Sequence, residues 1–285
     1  MMFNLLSSDI IRIIVGHYGA PYKPLIRHIC RLWRQLSSKS SPSYSDRHIP
    51  SLRLTDIAYH GHLSILQWTH TLRTHLTVAL SHDTCSKWPA NHIMSHAARG
   101  GHEHIVRLCH EEYDATNVNW AMAEAAEHDH VNIVRLCHDE WGAIDVESAM
   151  VYAACGGHTH IVRLCHDKYG ATNVDLAMSF AARGGHEHIV RLCHDEYGAT
   201  NVNWTMAKAA RGGRQHIGRL CHDEWGATDV NRAMCSAARG GHEHIVRLCH
   251  NEYVATNVNL GLACAAKIGH EHIVTLCKSW IAAAT

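Results

Sequence analysis

The stretch that decides the fold is Ala181–Asn203, AARGGHEHIVRLCHDEYGATNVN, which recurs along the chain with few changes. Its cysteine returns every 28 residues, and a methionine on the N-terminal side keeps the same register. A period this strict predicts a repeat architecture of seven units from about Asn91 to the C-terminus. The cysteines are Cys109, Cys137, Cys165, Cys193, Cys221, Cys249 and Cys277, and the methionines are Met94, Met122, Met150, Met178, Met206 and Met234, with Leu262 in the seventh unit.

Each unit contains two predicted helices. Helix A is expected to begin at a slot of mostly oxygen-bearing side chains, which bind the free amides of a helix N-terminus. It carries small or apolar residues such as Ala121, Met122 and Ala125 and ends at a Gly-Gly pair. Helix B is amphipathic, with a glycine such as Gly142 in its C-cap slot. The predicted N-cap residues are Asn91, Asn119, Glu147, Asp175, Asn203, Asn231 and Asn259.

A hairpin of 28 residues cannot bury its own apolar face, so consecutive units must stack on one another. The sequence therefore predicts an all-α solenoid of stacked helix-turn-helix repeats. The repeated string resembles the ankyrin repeat, TPLHxAAxxGHxxIVxLLLxxGADVN, at its Ala-Ala, Gly-His, Ile-Val and Gly-Ala positions. Two departures are plain: the TPLH tetrad is Trp120-Ala121-Met122-Ala123 here, and the shorter period implies that the projecting β-hairpin of ankyrin repeats is mostly missing. A leucine-rich repeat is rejected, since the unit lacks that family's alternating leucines.

Composition excludes several classes of function. Lys plus Arg and Asp plus Glu both number 26, so the formal net charge is zero, which argues against a general nucleic-acid binder. The first residues lack a basic n-region and break their apolar stretch with Asp9 and Arg12, unlike a secretory signal. No run of about 18 apolar residues occurs, so no membrane span is expected. We therefore expect a cytoplasmic protein whose 12 cysteines are reduced thiols.

The abundant histidines and cysteines permit two interpretations. His102, His104, Cys109 and His110 are ligand types that suit zinc, which allows a metal-binding array as an alternative. However, His104 and His110 lie about 9 Å apart along a helix and on different faces, so one ion cannot bind both. The favoured interpretation is structural: the Gly-His histidine ties the turn between the helices, and the cysteine is a small core residue. No cofactor, catalytic residue or resident metal is predicted, and we expect no enzyme.

Two slots of helix A vary between units, and they lie four residues apart on one side of the helix. In stacked repeats they form a continuous stripe, and its mixture of aromatic and charged side chains is typical of protein-binding faces. The resemblance to ankyrin repeats implies the same, because there the position after the TPLH motif contributes to the concave partner-binding surface. The predicted partner-binding residues are His96, Glu124, Tyr152, Phe180, Lys208, Ser236, Trp120 and Trp204.

Three segments precede the seven units. Residues 52–90 contain LTDIAYHGHLSILQWTH, with the same Gly-His pair, and are assigned to a diverged first repeat with a long loop. Residues 37–51 form a Ser-rich linker. Residues 1–36 are a small helical module whose strings LSSDIIRII and ICRLWRQL resemble the two ends of an F-box, with Ser7 where that pattern has proline. By this resemblance Leu6, Ile10, Ile14, Leu25 and Trp33 would dock onto Skp1, the F-box partner in cullin-based ubiquitin ligases.

These expectations combine into one hypothesis. The protein is an adaptor in which the F-box-like segment recruits a ubiquitin ligase and the repeat array selects an unknown target protein. Near-identical short repeats joined to an F-box-like segment resemble proteins of large DNA viruses, which would place the adaptor in the host cytoplasm. The alternatives are a plain ankyrin-like scaffold or decoy, in which residues 1–36 only cap the array, and the His/Cys metal-binding array.

Overall fold

The structure is a computed structural model and describes residues 54–64, 66–67, 70 and 90–283. The F-box-like segment 1–36, the linker 37–51 and most of the long loop before residue 90 lie outside the described residues. The chain divides into two units: one comprises residues 1–57 and 62–85, and the other residues 58–61 and 86–285. A helix covers Leu54–Tyr59. The seven predicted repeats all belong to the second unit.

Each repeat is a pair of helices joined by a tight turn, and residues 90–283 contain no β-strand. This confirms the predicted helical hairpins. The A helices are Ala90–Arg99, Val118–Glu127, Val146–Gly156, Val174–Gly184, Val202–Arg211, Val230–Gly240 and Val258–Ile268. The B helices begin at Glu103, Val131, Thr159, Glu187, Gln215, Glu243 and Glu271 and end at Glu111, Glu140, Lys168, Glu196, Glu224, Asn251 and Ala283.

The repeats stack through their A helices. Helix A of each repeat contacts the A helices of its neighbours as well as its own helix B. The small-residue face makes this close approach possible: Ala121, Met122, Ala125 and Ala126 are all fully buried. The repeated cysteine, exemplified by Cys137, is fully buried between the helices, as the structural interpretation predicts. The core therefore combines short side chains with larger apolar ones, which include the methionine of helix A in repeats 1 to 6 and an isoleucine of helix B in every repeat.

The predicted N-cap slot of helix A is wrong by two residues. The actual cap is the preceding Asn or Asp of the Thr-Asn-Val-type string: Asn117 Oδ1 accepts a hydrogen bond from Trp120 N at 3.3 Å, and Asp145 Oδ1 accepts one from Ser148 N at 3.0 Å. The predicted residue Asn119 has another role. Its Oδ1 accepts hydrogen bonds from the backbone amides of Ile144 and Asp145, at 2.9 and 3.0 Å, in the loop that leads into the next repeat.

This loop tie recurs along the array. Glu147 accepts from the amides of Thr172 and Asn173, and Asp175 accepts from those of Thr200 and Asn201. Asn91 and Asn203 make the same pair of bonds, and Asn231 accepts from the amide of Asn257. Both oxygen-bearing positions of the repeat are thus used, one to cap a helix and the other to join adjacent loops.

Helix B ends in one of two ways. In repeats 2 to 5 its last turn widens into a π-helical segment, such as Leu136–Glu140, followed by a left-handed glycine, such as Gly142 at φ 67°. In repeats 1 and 6 helix B stays α-helical, and the glycine is replaced by Asp114 and Val254, which adopt φ values of 54° and 56°. Glycine adopts this conformation at little cost, whereas a β-branched residue there is strained.

No helix within the described ranges is both long enough and apolar enough to cross a membrane. The longest of the repeat helices, Glu271–Ala283, has 13 residues.

Candidate partner-binding face

The variable slots of helix A supply the side chains that the array leaves uncovered. We define the helix A stripe as the positions two residues before and two residues after the shared methionine. None of its eight predicted binding residues is buried, although the residues between them on the same helices are. Trp120 is the most exposed aromatic of the stripe, with 46% of its surface accessible.

The N-terminal part of the stripe is aromatic and acidic. The rings of Trp120 and Tyr152, in adjacent repeats, meet edge to face with centroids 6.4 Å apart. Trp120 and Glu124 line a groove with His92 and His96 of the preceding repeat. Burial raises the pKa of Glu124, and nearby Arg99 opposes that rise. Side chains from neighbouring repeats thus form one continuous surface.

The middle of the stripe is aromatic and basic. Lys208 Nζ lies 4.9 Å from the ring centroid of Phe180 and 4.8 Å from that of Trp204. Arg232 Cζ lies 4.2 Å from the Trp204 centroid, so this indole is approached by two cations. Such cation–π contacts hold long side chains in place on the surface. Ser236, the next stripe residue, is partly exposed.

Sequence reasoning missed a third variable position, five residues after the methionine. Because it lies three residues beyond the second stripe slot, it faces nearly the same side of helix A; Arg99 at this position lines the groove beside Trp120. Arginine is the commonest residue at this position, so its variation does not stand out in the sequence. Its occupants are Arg99, Glu127, Cys155, Arg183, Arg211, Arg239 and Lys267.

Two cysteines correct the expectation that all thiols are reduced. Cys264, in the stripe slot of repeat 7, forms a disulfide with Cys235 of repeat 6, and their Cα atoms are 5.7 Å apart. The seven equivalent cysteines are free, as expected. Cys235 and Cys264 occupy non-equivalent positions one residue apart in the repeat, and close packing of two A helices brings them together. The bond links the A helices of the last two repeats.

The Gly-His histidine ties each repeat to the one before it, rather than tying its own turn. Nε2 of His158 donates to the carbonyl of Glu127 at 2.9 Å, and Nε2 of His186 donates to that of Cys155 at 3.0 Å. In repeat 5 the histidine is replaced by Arg214, whose Nε lies 3.5 Å from the carbonyl of Arg183. The same bond joins His102 to Tyr59, His130 to Arg99, His242 to Arg211 and His270 to Arg239.

The histidine after the repeated cysteine forms a second series of contacts, on the helix B side. Its ring packs against the aromatic residue at the end of the next helix B, with centroids between 3.7 and 4.1 Å apart. In repeats 1 to 3 its Nδ1 also donates to a loop carbonyl, as His110 does to Ala115 at 2.8 Å. The pairs are His110–Trp141, His138–Tyr169, His166–Tyr197, His194–Trp225, His222–Tyr253 and His250–Trp280.

This geometry does not support a metal-binding array. Cys109 and Cys137 are fully buried among apolar side chains, and burial raises the pKa of their thiols to about 12. In the described part of the chain, the cluster with metal-ligand spacing is Glu124, Glu127 and His128 instead. There His128 Nδ1 donates to the carbonyl of Glu124, and its Nε2 accepts from Arg99 Nε at 3.2 Å, which places a cation where an ion would bind.

The fold and its contacts define a protein of stacked helical-hairpin repeats. No protein-family model matches the chain, and no curated protein matches its sequence. The F-box-like residues Leu6, Ile10, Ile14, Leu25 and Trp33 lie outside the described residues.

Proposed function

We propose that the protein is a non-enzymatic interaction adaptor whose helix A stripe binds a target protein. One observation carries this proposal: the contacts between repeats recur almost unchanged, whereas the exposed side chains of helix A differ from repeat to repeat. Aromatic and cationic side chains that are held on a rigid surface are the usual anchors of protein interfaces. The resemblance of the repeat to ankyrin repeats favours the same function.

Variants of the stripe test target binding directly. The variant Trp120→Ser/Tyr152→Ser/Trp204→Ser removes three aromatic anchors from the stripe. The control Ile144→Ser/Val254→Ser removes two apolar side chains that are 82% and 71% exposed but lie in loops away from the stripe. Quantitative affinity capture should recover proteins with the parent and the control that are missing with the stripe variant. Equal recovery with all three chains would contradict the proposal.

We further propose that residues 1–36 recruit a ubiquitin ligase through Skp1, on the strength of their resemblance to an F-box. Calorimetric titration of purified Skp1 into the whole chain tests this. The parent should bind saturably, and the variant Ile14→Ala/Trp33→Ala should not. If the folded parent fails to bind Skp1, the segment is a cap of the array, and the protein is a scaffold without ligase recruitment.

A further inference from the structure

Charge is unevenly distributed along the exposed side of the A helices. At the three exposed positions, repeat 1 has Arg99 as its fixed charge, repeat 2 has the carboxylates of Glu124 and Glu127, and repeat 3 has no fixed charge. In repeats 4 to 7 every fixed charge at these positions is positive, although the whole chain has a formal net charge of zero. The six cations are Arg183, Lys208, Arg211, Arg232, Arg239 and Lys267.

Lys208 is at the centre of this cationic region. Its ammonium group contacts the rings of Phe180 and Trp204, and Arg232 stacks on the same indole. Desolvation lowers the pKa of Lys208, and repulsion from Arg183, Arg211 and Arg232 lowers it further. Two cations thus contact the aromatic rings, and Arg183 and Arg211 lie close enough to lower the pKa of Lys208.

Among residues 90–283, these cations lack the carboxylate partners that several arginines of helix B have. On helix B, Arg163 pairs with Glu196 at 2.9 Å, and Arg219 pairs with Glu252 at 2.8 Å in the next repeat. Within residues 90–283, none of the six cations of the stripe side forms an ion pair. Unneutralised like charges repel one another, and this repulsion is relieved when an oppositely charged partner binds.

We infer that repeats 4 to 6 bind an extended acidic segment of a partner protein, with its carboxylates on Arg183, Lys208, Arg211 and Arg232 and its apolar side chains against Phe180 and Trp204. This inference rests on the proposed function of the helix A stripe and specifies the chemistry of its partner. Packed helices are separated by roughly 8–10 Å, and three residues of extended chain span about 10 Å. An acidic residue at every third position thus matches the spacing of the repeats.

A protein segment fits this surface better than a nucleic acid does. Six of the seven cations at the three exposed positions lie in repeats 4 to 7, and Glu124 and Glu127 of repeat 2 continue the same surface with the opposite sign. A nucleic acid carries a phosphate at every nucleotide, and its backbone would meet these carboxylates if it followed the stripe. A short peptide with acidic and apolar residues uses the cationic region and avoids the acidic one.

The test is fluorescence anisotropy with the whole chain and a labelled 12-residue peptide that carries glutamate at every third position and threonine and leucine between. The parent should bind saturably, and affinity should fall as salt is added. The variant Lys208→Gln/Arg232→Gln should bind at least about tenfold more weakly, since hydrogen bonds to charged groups are lost. The matched variant Arg163→Gln/Lys168→Gln removes two positive charges from helix B and should bind like the parent.

Three results would overturn the inference. The first is no binding by the parent, and the second is an equal loss of affinity in the two variants. The third is that single-stranded oligonucleotide displaces the labelled peptide at a lower concentration than unlabelled peptide does. A peptide with lysine in place of glutamate should not bind. If the acidic peptide fails while captured proteins still depend on Trp120, Tyr152 and Trp204, only the acidic character of the partner is wrong. If captured proteins do not depend on the stripe either, the proposed function fails as well.

Discussion

The contacts between repeats recur with the 28-residue period, whereas the contacts within the helix A stripe differ from one repeat to the next. Between repeats, the same bond is made again in the next unit: His158 to the carbonyl of Glu127 is followed by His186 to that of Cys155. Along the stripe, Trp120 contacts Tyr152, whereas Trp204 contacts Lys208 and Arg232. Substitutions between repeats should therefore change stability, and substitutions in the stripe should change binding with little effect on stability.

The largest effect is expected at the turn between helices A and B. Gly157 has φ 90°, and a Cβ there would lie 2.6 Å from the ring of His186, whereas Gly170 has φ 75° with open space around it. Gly157→Ala should cost about 2–4 kcal/mol, because the left-handed backbone is strained and the bond from His186 to Cys155 is lost. Gly170→Ala should cost only the strain, about 1–2 kcal/mol. Equal urea-denaturation midpoints for the two variants would contradict this assignment.

A smaller loss is expected at the loop tie. Asn119→Ala removes the acceptor for the amides of Ile144 and Asp145 and should lower the free energy of unfolding by about 1–2 kcal/mol, like loss of a helix cap. Asn119→Asp keeps the oxygen and should be nearly neutral, since Asp175 makes the same bonds in repeat 4. Chemical denaturation of the two variants measures the difference. If Asn119→Asp were as destabilised as Asn119→Ala, the side-chain oxygen would not be the source of the stabilisation.

The end of helix B offers a gain in stability. Val254 adopts φ 56° where repeats 2 to 5 have glycine. Val254→Gly should stabilise the chain by about 1 kcal/mol, because a β-branched residue in this conformation is strained. Asp114→Gly should gain less, since aspartate tolerates left-handed backbone better. Thermal melts of the two variants compare the gains, and a destabilising Val254→Gly would mean that the valine makes a favourable contact.

Acid should weaken the ties between repeats. Burial lowers the pKa of His130 and His186 below the usual 6.5, so the folded chain binds protons less readily than the unfolded chain. The stability these rings contribute is complete above pH 6.5 and is lost as the pH falls below it. Melting temperatures should fall between pH 7.5 and pH 5. The fall should be smaller in His130→Gln/His186→Gln, and an identical fall would assign the effect to other groups.

The sequence predicts those parts of the structure that depend on one unit and its period. The helical hairpins, the buried Cys137 and the small-residue contact between A helices follow from apolar spacing, and the structure confirms them. The contacts between units were harder to foresee. Asn117 and Asn119 are equally suitable caps in sequence, and only stacking assigns one to the helix and the other to the next loop.

The same limit applies to the candidate binding face. The two stripe slots can be recognised in the sequence because their residues differ in chemical type. The third position, which includes Arg183 and Arg211, is mostly arginine and cannot be recognised in this way. The disulfide between Cys235 and Cys264 breaks the period and forms only when two A helices align. The contacts of Lys208 with Phe180 and Trp204 also lie outside the repeat pattern. Such contacts depend on how adjacent repeats stack, so the pattern of one repeat does not predict them.

The smallest effect on stability is expected in the stripe itself, and it is the sharpest test of the distinction between the two regions. Trp204→Ser removes a partly exposed indole whose ring contacts are with Lys208 and Arg232, so the free energy of unfolding should change by only about 0.5 kcal/mol. Met206, two residues further along the same helix, is buried, and Met206→Ala should cost about 2–5 kcal/mol. Denaturation and target capture should separate the two variants: Trp204→Ser loses binding and keeps stability, whereas Met206→Ala loses stability and keeps binding while it remains folded. A large loss of stability in Trp204→Ser would place the indole among the contacts that hold the repeats together, and the variation of its slot would then no longer indicate a binding face.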